Sequence, residues 1–438
     1  MRDINIPRSF GIPNPFAYQR LCECLKDNWP AVQNHFHLQT DDIGYKISRI
    51  HLRKMKGCSA LFKMNYQDWR MDDDPVPGIL IGKQYMVKAD ISTCFPSMYT
   101  HALGWALEGK KTAKGNKNKK DTWPNSLDHA AMNMRNGETH GFMIGPHASN
   151  LMAEIILTVI DHRLNLNEWH YIRNIDDYSC YVDSYEAAQS FLTDLQSELR
   201  QFDLMLNHKK TRICSLPVAT TEHWVRRLQS VELVAAYGKV NYKAARGYLD
   251  LAISLMEDNG GSAAILNYAI KVLAKQPLTD NARKYCAKTL MHYAYIYPYL
   301  LPLMEEYVFQ AYDVDTALIA NFTKKFFHDA MNRKNYEALS YALYFAIKYE
   351  FIIPDLNCEA AIQSDSCIFK LLTWLYFKDD AEAARRMKKH AREDLKNSMD
   401  EYWLFVYEIL PQNELSGEWK PMKRAGISFI RPDLLTMS

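Results

Sequence analysis

Asp90 closes the strand-like run Val87-Lys88-Ala89-Asp90, and far downstream Asn174-Ile175-Asp176-Asp177 sets two adjacent aspartates between two further strand-like stretches. Between them lies the glycine-bearing turn Gly141-Phe142-Met143-Ile144-Gly145-Pro146. It runs into a segment whose apolar residues recur at 151, 152, 155, 156, 159 and 160, a helical period. Each piece alone has an ordinary meaning. An Asp pair between strands is common turn chemistry, and Asp90 ahead of Ser92 and Thr93 can cap a helix. Their order constrains more. A strand-end carboxylate and a hairpin carboxylate pair meet when the strands share a sheet, and three like charges at close range call for a cation or a raised pKa.

That order of elements is the order in a palm-type polymerase. Nucleotidyl transfer needs carboxylates that bridge two Mg²⁺ ions about 3.5–4 Å apart. Mg²⁺ is hard and keeps several waters, so a few Asp oxygens plus triphosphate oxygens suffice. Asp90, Asp176 and Asp177 form that set, with Mn²⁺ as the alternative ion. Phe95 follows Asp90 at the position where an aromatic ring lies beneath an incoming sugar and excludes a 2′-hydroxyl; the alternative is a core Phe on a helix just beginning. Lys210 is placed to neutralise or protonate a leaving group, or else faces solvent. Arg53, Lys54 and Lys63, on an expected N-terminal hairpin, are candidates to clamp triphosphate oxygens.

Composition narrows the class without naming it. The chain has 438 residues, 48% hydrophobic and 24% charged, enough for two domains with separate cores. A net charge of +2 is too small to announce a nucleic-acid binder, so such contacts must come from local patches. No apolar run approaches the roughly 20 residues that span a bilayer. No apolar h-region follows Met1, and the nine cysteines lack a regular spacing, so a cytoplasmic protein with free thiols is expected. Cys22-Glu23-Cys24 with His35 and His37 departs from zinc-ligand spacing.

Residues 45–66 read as a hairpin turning at Lys56-Gly57, 72–78 as a loop, and Ile79 to Ala89 as a strand. Gly109 to Lys120 reads as a lysine-studded loop, either solvated or phosphate-contacting. Strand, turn, strand follow over 171–182, a helix over 190–204 and a strand from 206 to 213. From about Val231 amphipathic helices dominate, at 245–256, 262–274, 281–295, 300–311, 314–332, 335–349, 367–377 and 380–409. The expected fold is an α+β palm-and-fingers domain over 1–228, then an all-α domain over 229–438, of HEAT-like helical repeats or an irregular bundle.

The motifs carry a family resemblance. Asp90 to Tyr99 looks like reverse transcriptase motif A, the Gly-Pro turn with Ser149 like motif B, Asn174 to Asp177 like motif C, and Leu206 to Thr211 like motif D. Tyr99 to Lys110, Gly137 to Gly141 and Ile144-Gly145-Pro146 resemble the abortive-infection polymerases of bacterial phage defence. That resemblance implies a reverse-transcriptase-like domain ahead of a HEAT-like one. It also implies DNA synthesis from dNTPs without a template, a single-stranded product attached to a tyrosine of the protein, and a homo-oligomer. The metals would sit on Asp90, Asp176 and Asp177 with the Ile91 carbonyl assisting, while Pro146 and Ser149 support the nucleotide. The chain has 27 tyrosines; Tyr18, Tyr45, Tyr293, Tyr295, Tyr297 and Tyr299 are candidates for priming. Asn174 stands where the usual motif C has Tyr, which fits altered primer handling and removes no metal ligand. The rivals are a conventional RNA-templated reverse transcriptase and a non-catalytic helical scaffold.

Overall fold

The computed structural model describes residues 10–48, 74–119, 122–219, 221–233 and 238–435, and the backbone of 51–54 and 62–65. The chain divides into two compact units, Ser9–Val218 and Ala219–Ser438, ten residues before the boundary expected from sequence.

In the first unit Asn14 caps α1 (Pro15–Asp27) by accepting from the Phe16 and Ala17 amides, and Pro15 opens the helix at a position needing no N–H. α2 (Trp29–Thr40) follows, and its buried His35 bonds the Ile155 carbonyl through Nε2 at 2.9 Å. β1 (His51–Lys54) and β2 (Phe62–Asn65) pair antiparallel, with Arg53 opposite Lys63. The expected turn at Lys56-Gly57 and the side chains of Arg53, Lys54 and Lys63 lie outside the described residues. Instead of an unbroken loop and strand, a one-turn helix α3 (Val76–Ile79) precedes β3 (Tyr85–Asp90). Pro75 and Pro77, each with φ already near the helical value, favour that turn.

α4 (Cys94–Ser97), α5 (Ala102–Glu108), α6 (Lys110–Asn116) and α7 (Trp123–Asn133) come next. The expected lysine-studded loop is thus largely helix, because lysine is a good helix former and buried Ala113 seats α6. α8 (His147–Leu166) is the helix that the apolar period predicts, and it is buried almost all round, beyond that one stripe. β4 (Tyr171–Asn174) and β5 (Asp177–Val182) make the expected hairpin, α9 (Tyr185–Gln201) follows, and β6 (Arg212–Ser215) is shorter than the expected strand because Asn207 to Lys210 form a turn. The sheet order is β4-β5-β3-β6, all antiparallel, with α8 and α9 contributing to the core beneath it.

The second unit is helical throughout its described residues: α10 (His223–Gln229), α11 (Tyr242–Asp258), α12 (Ala263–Ala274), α13 (Asp280–Ile296), α14 (Leu301–Met304, continuing as a π-turn to Gln310), α15 (Thr316–Asn332), α16 (Tyr336–Lys348), α17 (Cys358–Ile362), α18 (Cys367–Tyr376), α19 (Ala381–Asn397), α20 (Met399–Ile409) and α21 (Trp419–Arg424). The single helix expected over 380–409 breaks at Ser398, whose φ and ψ of −146° and 34° are not helical. Most helices pack on sequence neighbours, such as α11 on α12 and α15 on α16. None of the described helices is long and apolar enough to cross a membrane.

Candidate active site

The sheet register carries the site. Asp90, last residue of β3, lies directly opposite Asp177, first residue of β5. Two residues, Ile175 and Asp176, join β4 to β5, and Asn174 faces Asp177 across the hairpin. Two-residue hairpin loops need positive φ in the turn, and here Ile175 takes it, at 57°. For a β-branched side chain that is a strained conformation. It is held from below. Arg173 Nη1 donates to the Ile175 carbonyl at 2.9 Å, and the Ile91 amide donates to the Asp176 carbonyl at 3.1 Å.

Arg173 is wholly buried, and its partners come from α8. Its Nη1 and Nη2 bond Glu154 at 2.7 and 3.1 Å, while Nε reaches both Asp161 oxygens at 3.0 and 3.1 Å. The Tyr171 hydroxyl donates to Asp161 Oδ1 at 2.9 Å. Burial works against the Arg173 charge, but Asp161 and Glu154 overcome it and hold the guanidinium well above its ordinary pKa. Glu154, which interrupts an apolar run in the sequence, is therefore the mate of a buried cation.

Asp90 is only 4% exposed. Lys210 Nζ donates to its Oδ2 at 2.7 Å, Asn207 Nδ2 to its Oδ1 at 3.0 Å, and the Asn207 amide to its carbonyl at 2.7 Å. The turn that carries Lys210 is organised by the same Asn207, whose Oδ1 accepts from the Lys209 amide at 3.2 Å and whose carbonyl accepts from the Lys210 and Thr211 amides. Asp177 is solvent-accessible, yet its carboxyl is pushed up to about 6. The protein around it strips hydration, the Asp176 and Asp90 charges and an Asp90 hydrogen bond add to this, and Lys210 pulls only partly the other way. Cys94 lies buried nearby; burial pushes its thiol up, with the Asp176 charge next in effect.

The glycine-bearing turn docks on the residues after Asp90. The Gly141 amide donates to the Met98 carbonyl at 2.9 Å and the Phe142 amide to the Phe95 carbonyl at 2.8 Å. A Cβ on Gly141 would lie 2.9 Å from the Pro96 carbonyl oxygen, and its φ is 90°, so only glycine fits. Phe95 itself is half-buried on α4. Pro146 is the N-cap residue of α8 and is buried, as is Ser149 at 2% exposure, so Ser149 supports the turn from within rather than facing solvent.

The structure thus gathers Asp90, Asp177 and Lys210, with Asp176 beside them, and leaves Pro146 and Ser149 at the start of α8. Asn207 and Arg173 were not singled out from sequence. An Asn opening a polar turn three residues before Lys210 was the only signal for the first. A lone Arg in an apolar strand, which burial obliges to find counter-charges, was the signal for the second.

A divalent ion suits the donors chemically: hard carboxylate oxygens, crowded enough to raise one pKa. Among the described residues no three His, Cys, Asp or Glu side chains are already drawn together as a closed ligand set, and Lys210 supplies the positive charge beside Asp90.

Residues 51–242 match the family described as reverse transcriptase (RNA-dependent DNA polymerase). A reverse-transcriptase-like polymerase domain therefore contains the three aspartates, Asn207 and Lys210. No curated protein matches the chain. Similar solved structures include apo telomerase from Candida tropicalis truncated from its C-terminal domain, at 14% identity, covering 45% of this chain and 42% of that one, with a TM-score of 0.30. Apo telomerase from Candida tropicalis aligns at 10% identity over 84% of this chain and 61% of its own, with a TM-score of 0.32. Telomerase from Candida albicans in complex with a fragment of telomeric RNA aligns at 11% identity over 90% and 56%, with a TM-score of 0.23. The chain spans 42% to 61% of these relatives' lengths.

Proposed function

We propose that the chain is a DNA polymerase that extends a hydroxyl of its own tyrosine with dNTPs, without a template, in abortive-infection defence. The observation that carries the polymerase chemistry is the register that sets Asp90 against Asp177, with Asp176 in the adjoining turn. Asp90, Asp176 and Asp177 would hold Mg²⁺ or Mn²⁺, with the Ile91 carbonyl assisting. When bound, the ions lower the pKa of the attacking hydroxyl and neutralise charge on the leaving pyrophosphate. The attacking oxygen bonds the α-phosphorus while the bond to the β-phosphate bridge breaks. Asn207 fixes Asp90 by one bond to its carboxylate and one to its backbone carbonyl, and Lys210 offers the proton and charge that pyrophosphate departure needs. Phe95 excludes the 2′-hydroxyl, and Pro146 and Ser149 hold the turn beneath the nucleotide. Arg53, Lys54 and Lys63 are the sequence's candidates for holding triphosphate oxygens.

Priming needs an accessible phenol. Tyr45 is engaged, its hydroxyl donating to the Tyr171 carbonyl and accepting from the Tyr171 amide, both at 3.0 Å. Tyr299 is buried, and burial pushes Tyr293 up to about 12. Tyr295 is 41% exposed, and its hydroxyl donates to the Asp329 carboxylate, a base placed to accept the phenolic proton. Tyr18 and Tyr297 are half-buried, so Tyr295 offers the most accessible phenol of the six. The local packing of successive helices in the second unit supports a HEAT-like array, and homo-oligomers and a cytoplasmic location belong to the same proposal.

Purified protein incubated with Mg²⁺ and dNTPs alone should yield DNA that stays with the protein after denaturation, and the Asp176→Ala/Asp177→Ala variant should yield none. Product only on added RNA template would replace this function with a templated reverse transcriptase. Mass spectrometry of nuclease-trimmed product should place the nucleotide on Tyr295; another tyrosine would retain the activity and reject that assignment.

A further inference from the structure

The lysine-rich stretch after Gly109 takes no part in the site above, yet it is built rather than loose. Ala113 of α6 lies against Gly104 of α5, where a Cβ would sit in ordinary contact at 3.5 Å. Asn125 of α7 clamps the following turn, its Nδ2 donating to the Asn116 carbonyl at 2.8 Å and the Lys119 carbonyl at 2.7 Å. The lysines then divide by role. Lys110 is an anchor: its ammonium lies 3.9 Å from the Trp105 ring centre and donates to the Gln201 carbonyl at 3.1 Å.

Lys114, Lys117 and Lys119 instead line a concavity of about 800 Å³ that Arg20 of α1 also borders. None of these three lysines pairs with a described carboxylate. The one acidic residue in the lining, Asp128, bonds His101 Nδ1 through Oδ2 at 2.6 Å, and its Oδ1 is buried. Three lysines thus converge on one hollow of a chain whose net charge is +2, with Arg20 at its border. Their mutual repulsion is relieved by an anion carrying several charges.

We propose that this basin binds the phosphodiester backbone of single-stranded nucleic acid without regard to base sequence. Lysines are point charges that suit phosphate oxygens, and the only lining carboxylate, Asp128, turns one oxygen to His101 and buries the other away from a base edge. A hollow of about 800 Å³ has room for a few nucleotides of a single strand. The basin is distinct from the aspartates, and the inference stands whether or not the chain primes on itself.

The test is fluorescence anisotropy of the full chain with labelled oligothymidylate across a salt series. Lys114→Gln/Lys117→Gln should weaken binding about tenfold or more. It should also reduce the slope of log K against log salt by about 1.4, since each single-strand phosphate contact contributes about 0.7. Lys111→Gln, on α6 but outside the basin, should match the parent, and a shared thermal midpoint confirms that both variants fold. Asp176→Ala/Asp177→Ala should bind the strand normally while losing any polymerase activity, which separates this inference from the catalytic one. Unchanged affinity and slope in the double lysine variant would overturn it. So would equal binding of duplex, or equal displacement of the strand by polyglutamate.

Discussion

Asp177 titrates at about 6 because lost hydration and the Asp176 and Asp90 charges favour its neutral form. The folded chain therefore keeps a proton that the unfolded chain, near 3.8, has lost, and net stability falls as pH rises from about 4 to 6. Asp177→Asn removes this repulsion. Its thermal midpoint in chelator should exceed the parent's at pH 7.5 and match it at pH 4, while nucleotide incorporation falls by roughly 10²-fold or more, the scale of losing one electrostatic stabiliser. A midpoint below the parent at pH 7.5 would show that the carboxylates do not strain the fold. Mg²⁺ should raise the parent's midpoint progressively as pH passes 6. Asn207 is the second test at this scale. Asn207→Ala leaves Asp90 Oδ1 without its 3.0 Å donor and loosens the Lys210 turn. Loss of about 1–3 kcal/mol in urea unfolding is expected, with reduced incorporation. Asn207→Asp sets a fourth carboxylate against Asp90, so incorporation should fall further and recover in part at high Mg²⁺.

The hairpin between β4 and β5 transmits its strain to Arg173, which ties the Ile175 carbonyl to Glu154 and Asp161 on α8. Arg173→Met should cost about 3–5 kcal/mol, because two carboxylates are left buried without a cation. The triple variant Arg173→Met/Glu154→Gln/Asp161→Asn should recover much of that stability, read by urea midpoints, without recovering activity, because the Ile175 carbonyl still lacks its donor. Recovery of both would mean that the bond to the turn is dispensable. This network also marks how far the sequence is legible. Periodicity placed α8, and the strand-turn-strand pattern placed the hairpin, because both signals are local. Arg173 and Asn207 act through partners 12 to 19 and 117 residues away, and no spacing rule reaches that far. α6 escaped detection for the opposite reason: with one buried residue, Ala113, it has no apolar stripe to read.

Among the described residues, the two large apolar cores do not share a residue: one runs from Ala17 to Leu206, the other from Leu228 to Leu415, and a small third cluster of Val76, Met86, Ile172 and Tyr181 lies within the first unit. Each unit has over two hundred residues, a size at which a single core sustains an independent fold. The change from alternating strands and helices to helices alone was legible as a change in hydrophobic period; the boundary was not, because α10 is short and its single buried residue, Leu228, belongs to the second core. A fragment of residues 219–438 should therefore fold alone, with helical circular dichroism and one cooperative transition. Phe345 decides whether that transition is the same one the full chain shows. Its ring is fully buried and lies edge-on to Phe309 with centroids 5.1 Å apart. Phe345→Ala should cost about 3–5 kcal/mol in the fragment and lower one of two calorimetric transitions in the full chain, leaving the other in place. A single transition that moves as a whole would mean that the two cores fold as one cooperative unit despite their separate membership.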